Sequence, residues 1–167
     1  MSEPTQIELD DVIHGEMAPG FLGLLLGRLV DRLVEGGGRP AMVAGIRTPV
    51  RAFSTVMLLA HGNQSVTELA RRLGVTHAAV IKTARALDDL GFLGRGDDPG
   101  DARRKPLCLT PEGQNEAERI RAYMVKVNSV YADLFEEIGV DLFAAAAGFE
   151  AALRREDLAT RMARKPD

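Results

Sequence analysis

Cysteine is almost absent from this chain of 167 residues, which holds only Cys108. A single thiol excludes any disulfide within the chain and fits a reducing compartment. Membrane-spanning character is missing as well. The most apolar run, Phe21 to Val30, is interrupted by Arg28 and falls well short of the roughly 20 residues that cross a bilayer. Met1 to Gly20 carries five acids and no lysine or arginine, the opposite of a secretory signal, so a cytoplasmic protein is expected. His14, His61 and His77 are scattered along the chain, which gives no expectation of a metal site. Gly36-Gly37-Gly38 lacks the lysine and flanking strand of a phosphate-binding loop. Neither an enzyme nor a bound cofactor is expected, and internal repeats and low-complexity tracts are absent.

The length fits one domain, residues 1–167, with enough chain to bury a real core. Helical periodicity is plentiful and strands are few, so the fold class is mainly α. The net charge of −3 hides an asymmetry. Between Ser65 and Thr110 eight lysines and arginines face six acids, a basic patch on an acidic body.

Pro19 starts a helix that the pattern carries from Gly20 to Val34, with leucine and valine on more than one face. Such a helix is either a core helix of one chain or a subunit interface, and the small size of the chain favours the interface. Gly36-Gly37-Gly38 is expected to break it, leaving Arg39–Arg47 as a connector with a short helical turn at Ala41–Ala44. Thr48-Pro49 reads as cap and first residue of a helix reaching about Ala60. After the central region, Glu112 to about Glu137 reads as one long amphipathic helix stopped by Gly139. Asp141–Arg164 reads as another.

The central region is the most informative. Ser65-Val66-Thr67-Glu68 has the form of a capping box, and Val66, Leu69, Ala70 and Leu73 share one helical face. Gly74 closes that helix and Thr76 caps a second, His77–Leu90, which buries Val80, Thr83, Ala84, Leu87 and Leu90. Two short helices across a glycine turn make a helix-turn-helix. Two short strand candidates follow, Phe92–Arg95 and Lys105–Leu109, joined by a turn-rich segment that ends in Arg103-Arg104. Thr110-Pro111 then opens the next helix. A helix-turn-helix followed by a two-stranded basic hairpin is a winged helix.

Glu68-Leu69-Ala70, Leu73-Gly74, Val80, Leu87, Gly91, Arg95, Asp98-Pro99, Asp101-x-Arg103 and Leu109-Thr110-Pro111-x-Gly113 stand in the order and spacing of one family. Over these nearly fifty residues the chain resembles the MarR family of bacterial transcription regulators. The resemblance implies a winged helix-turn-helix at 48–111 with a two-stranded β wing. Residues 1–47 and 112–167 would supply flanking N- and C-terminal dimerisation helices. It implies a homodimer on a pseudo-palindromic operator in double-stranded DNA. It also implies repression relieved by a small aromatic or phenolic acid.

On the second helix, His77, Ala78, Ala79, Ile81, Lys82 and Arg85 face away from the buried stripe and are the candidate base and phosphate contacts. Alanines stand at 78 and 79, where the family often has hydroxyl residues, so direct readout is expected to be modest and shape readout larger. In the wing, Arg95, Arg103, Arg104 and Lys105 are candidates for minor-groove or phosphate contact. The resemblance gives Asp101 the task of holding an arginine in position. Asp97, Asp98 and Asp101 otherwise read as turn residues. Cys108 reads as a small packing residue of the second strand. The ligand cleft implied by the resemblance would draw on Phe53, Met57, His61 and Tyr123. The alternative function is a winged helix that mediates protein interaction without sequence-specific DNA binding.

Overall fold

The computed structural model of the chain describes residues 18–96 and 106–165. They form two compact units, one ending at Arg121 and one beginning at Ala122. Among the described residues no helix is long and apolar enough to cross a membrane.

In the first unit, a 3-10 turn at Ala18–Phe21 leads into α1, Leu22–Val43. This helix overrides the break expected at Gly36-Gly37-Gly38. It takes in the expected connector as far as Val43 and carries Pro40 inside it. Glycine and proline each disfavour a helix interior, but local propensity is a weak prior against tertiary burial. The end of α1 is held down by Ala41, and Ile46 is buried just beyond it. Asp31 also meets Arg51 at 2.6 Å, an exposed pair of small energetic weight. A side chain at Gly36 or Gly38 would meet nothing, so packing does not require glycine there.

Thr48 does not cap the next helix as expected. Pro49 precedes a 3-10 turn, Val50–Ala52, which runs into α2, Phe53–Ala60. The helix-turn-helix follows as α3, Val66–Leu73, and α4, His77–Asp89. Then come β1, Leu93–Arg95, and β2, Leu107–Leu109, antiparallel with Leu93 opposite Leu109 and Arg95 opposite Leu107. Gln64 adds a third edge, exchanging both backbone hydrogen bonds with Leu107. The core of the unit gathers Val56, Leu59, Leu69, Val80, Leu87, Phe92, Leu107, Ala117 and Ile120. Apart from the small Ala117, each such side chain contributes on the order of 1.5–3 kcal/mol on burial.

The fifth helix, α5, Pro111–Ile138, starts in the first unit. Thr110 sets its start: its hydroxyl donates to the Gly91 carbonyl at 2.7 Å and accepts the Gly113 amide at 3.1 Å. Gly113 sits so close to Phe92 that a Cβ would run into the Phe92 carbonyl. One turn on, Glu116 is fully buried. Its Oε1 accepts the Arg47 amide at 2.7 Å, the Thr48 amide at 2.7 Å and the Thr48 hydroxyl at 2.9 Å. Its Oε2 accepts Arg119 Nη1 at 3.1 Å. Thr48 is therefore a donor to a buried carboxylate and not a helix cap. Burial alone raises the pKa of Glu116, but the donors from Thr48, Arg47 and Arg119 outweigh it and hold the carboxyl below its ordinary value.

The second unit contains the rest of α5, which Gly139 ends at φ +67°. The single helix expected over Asp141–Arg164 is instead two, α6, Leu142–Arg155, and α7, Leu158–Ala163. Asp157 makes the break because its carboxylate accepts the Thr160 amide at 2.8 Å, a local cap that competes with continuing the helix. The same bond holds the Asp157 carboxyl below its ordinary value. Arg161 then bridges the corner to the carbonyls of Ala152 and Glu156, each at 2.9 Å.

Gly38→Ala is expected to raise unfolding free energy by about 0.5–1 kcal/mol, whereas Gly113→Ala, forced against a backbone carbonyl, lowers it. Urea melts check both. Glu116→Gln is expected to cost about 2 kcal/mol at neutral pH. Because the folded carboxyl titrates below the unfolded one, this contribution is complete above the unfolded pKa. It disappears as pH falls through the folded value, so melts of the two proteins converge in acid.

Candidate nucleic-acid interface

The reading elements are held by local bonds that start in the sequence. Ser65 and Glu68 form the expected capping box: the Ser65 hydroxyl accepts the Glu68 amide at 3.1 Å, and the Ser65 amide donates to Glu68 Oε2 at 2.7 Å. Gly74 turns the chain at φ +66° and its amide donates to the Ala70 carbonyl. That left-handed conformation is cheap only for glycine. Thr76 caps α4 by accepting the Ala79 amide at 3.2 Å. Between the two helices His77 Nε2 lies 3.3 Å from the Thr67 hydroxyl.

With Val80 and Leu87 buried, α4 presents its other side to solvent. His77, Ala78, Ala79, Ile81, Lys82 and Arg85 are all exposed there, Ile81 at 43%. The six residues expected on this helix therefore share one open surface. Arg95 is exposed at the end of β1. A hollow of about 270 Å³ lies between the helices and the sheet, with Ile81, Arg85, Asp88, Arg95 and Leu107 among its lining residues. Arg85 of the helix and Arg95 of the wing base thus border one depression, and Asp88 sets an acid beside them. Asp101, Arg103, Arg104 and Lys105 lie outside the described residues.

The residues expected to line an effector cleft divide between the two units. Phe53, Met57 and His61 follow one another at four-residue spacing on α2 and its cap, hence on one face. Phe53 is buried, Met57 is half-buried, and exposed His61 Nδ1 lies 2.7 Å from the Met57 carbonyl. Tyr123 belongs to the second unit, where burial, with Tyr131 adding to it, pushes its hydroxyl pKa up. Among the described residues no three histidines, cysteines or acids stand close enough to hold a metal ion.

Two contributors escaped sequence reasoning. Gln64 pairs with β2 and accepts Arg72 Nη1 at 3.2 Å, which fixes the entry to α3 against the sheet. Glu116 anchors the chain ahead of α2. Its signal was available, because 113, 116, 117 and 120 share a helical face and a glutamate among them needs donors.

A sequence model of the MarR family matches residues 48–104. Over that stretch the winged helix matches the MarR family. That family comprises DNA-binding transcription regulators, not enzymes. The chain is similar to an HTH-type transcriptional repressor, MdtR of Bacillus subtilis strain 168, at 30% identity over 90 residues. The match covers 54% of this chain and 58% of MdtR. A protein assigned to regulation of the hcr operon in Thauera aromatica is 26% identical over 124 residues, 74% of each chain. Among solved structures, the transcriptional repressor CouR bound to a 23-mer DNA duplex is similar at 25% identity and a TM-score of 0.63. That likeness covers 83% of this chain and 96% of CouR.

Ser65→Ala removes the acceptor for the Glu68 amide and is expected to destabilise the winged helix by about 1 kcal/mol. Denaturant melts and faster hydrogen exchange at the Glu68 amide check this.

Proposed function

We propose that this protein is a homodimeric, sequence-specific DNA-binding repressor of the cytoplasm, relieved by a small aromatic or phenolic acid. The observation that carries the reading is the face of α4: a helix capped and buried on one side, with Lys82, Arg85 and His77 open on the other. Placed in a major groove, Lys82 and Arg85 donate to guanine edges or phosphates, and Ala78, Ala79 and Ile81 meet thymine methyls. Arg95, Arg103, Arg104 and Lys105 serve the wing beside the minor groove, with Asp101 orienting an arginine. The CouR–DNA complex supports this use of the fold.

Dimerisation is supported by what one chain leaves uncovered. Leu22, Leu25, Leu26, Val30 and Leu33 of α1 are between 36 and 46% exposed. No residue of α6 or α7 is buried. Residues 1–47 and 112–167 then supply dimerisation helices around a reading part at 48–111, within one MarR-like domain. A two-fold dimer suits half-sites about one helical turn, roughly 10 base pairs, apart. The α2 face with Phe53, Met57 and His61 is the part of the chain from which an effector site is sought. The effector acts only by binding one arrangement of the reading parts better than another.

Fluorescence anisotropy with the upstream intergenic duplex and a scrambled duplex of equal length, over a salt series, tests the reading. Expected are saturable binding, tighter for the native sequence, and a linear fall of log affinity with log salt. Arg85→Ala and Arg103→Ala are each expected to weaken native binding by roughly tenfold. Equal, weak binding to both duplexes overturns the reading and favours a protein-interaction module, for which the exposed Ile81 is suited.

A further inference from the structure

The chain passes twice between the flanking helices and the reading part. One passage, residues 44–49, joins α1 to α2, and the other, at Thr110, joins β2 to α5. Two passages alone permit the reading part to swing. Glu116 ties them together. From the first turns of α5 it takes both amides of the first passage, at Arg47 and Thr48, and the Thr48 hydroxyl. The Arg47 guanidinium meanwhile stacks over the ring of Phe92, 5.2 Å from its centroid. Phe92 is itself fixed at the second passage: its carbonyl accepts the Thr110 amide at 3.0 Å and abuts Gly113. The exit of α1, the base of the wing and the start of α5 therefore meet at one node around a buried carboxylate.

We infer that the Glu116–Thr48 node is a positioning device that locks the reading helix to the end of α1 and the first turns of α5, all within the first unit, and so sets the half-site spacing the dimer accepts. The inference rests on the homodimeric DNA-binding reading above. A swing of the reading part relative to α5 must pull amides and a hydroxyl away from a charged group sealed from water, which has no replacement donors. The head thus moves with the first turns of α5 as one piece. In a symmetric dimer that rigidity becomes a fixed distance and angle between the two reading helices. A base pair inserted between half-sites rotates one by about 34°, since a turn holds about 10.5 base pairs. A locked dimer cannot follow this, and a loosened one can.

The test uses the full-length protein and duplexes selected by the wild type from a random library, re-synthesised with one base pair added or removed between half-sites. Thr48→Val deletes one donor and keeps both amides. Thr48→Ser restores the hydroxyl. Glu116→Gln serves as a second variant should Thr48→Val fold poorly. Wild type and Thr48→Ser are expected to lose on the order of tenfold or more in affinity for the altered spacing. For Thr48→Val the loss is expected to shrink to about threefold, with affinity for the best spacing little changed. A Thr48→Val penalty as steep as that of wild type overturns the inference and leaves the repressor reading standing. Selected duplexes without paired half-sites overturn both.

Discussion

A glutamate with no exposed surface is the constraint on which the first unit turns. An ionised carboxylate removed from water is tolerated only where several donors converge on it. Here the donors come from the turn after α1 and from its own helix. The consequence is topological as well as energetic. Two segments nearly seventy residues apart in sequence, Arg47–Thr48 and Glu116, are brought to hydrogen-bonding distance. The helix-turn-helix and the sheet lie in the chain between them. The reading part is thus closed at its base by a polar contact, while its interior is apolar.

Around that closure, the elements divide by the range of the forces that shape them. The helix-turn-helix is set by local chemistry: a serine cap, a left-handed glycine, a threonine cap. The small sheet depends on non-local pairing, and Gln64 gives it a third edge that stops β2 from being open on that side. Covering an edge in this way protects a short strand from pairing with other chains. The outer side of α4 remains open, continuous with Arg95 around a shared hollow.

What was legible in the sequence follows the same division. The capping box, Gly74, Thr76 and Thr110-Pro111 were readable because each depends on residues a few positions apart. The helical breaks were not. Gly36-Gly37-Gly38 reads as a stop by propensity, but burial at Ala41 and Ile46 carries the helix through it. Asp157 reads as one more polar residue in an amphipathic pattern, yet its cap on Thr160 divides the helix. Thr48 looked like a cap because threonine before proline often is one; its true partner lies on a helix that no local pattern connects to it. On α4 the six residues expected opposite the buried stripe are all exposed. The wing residues from Asp101 to Lys105 rest on the sequence.

The course of α1 through three glycines and a proline has a consequence for assembly. Its last third contributes little intrinsic helicity, and Pro40 has no amide to donate four residues back. Its first half, with leucines uncovered in the single chain, therefore draws its order from whatever surface lies against it. Under the proposed dimer, ordering of residues 22–35 and association become one coupled equilibrium. Helical content then tracks protein concentration, and dilution unravels the amino-terminal half of α1 before the winged helix melts.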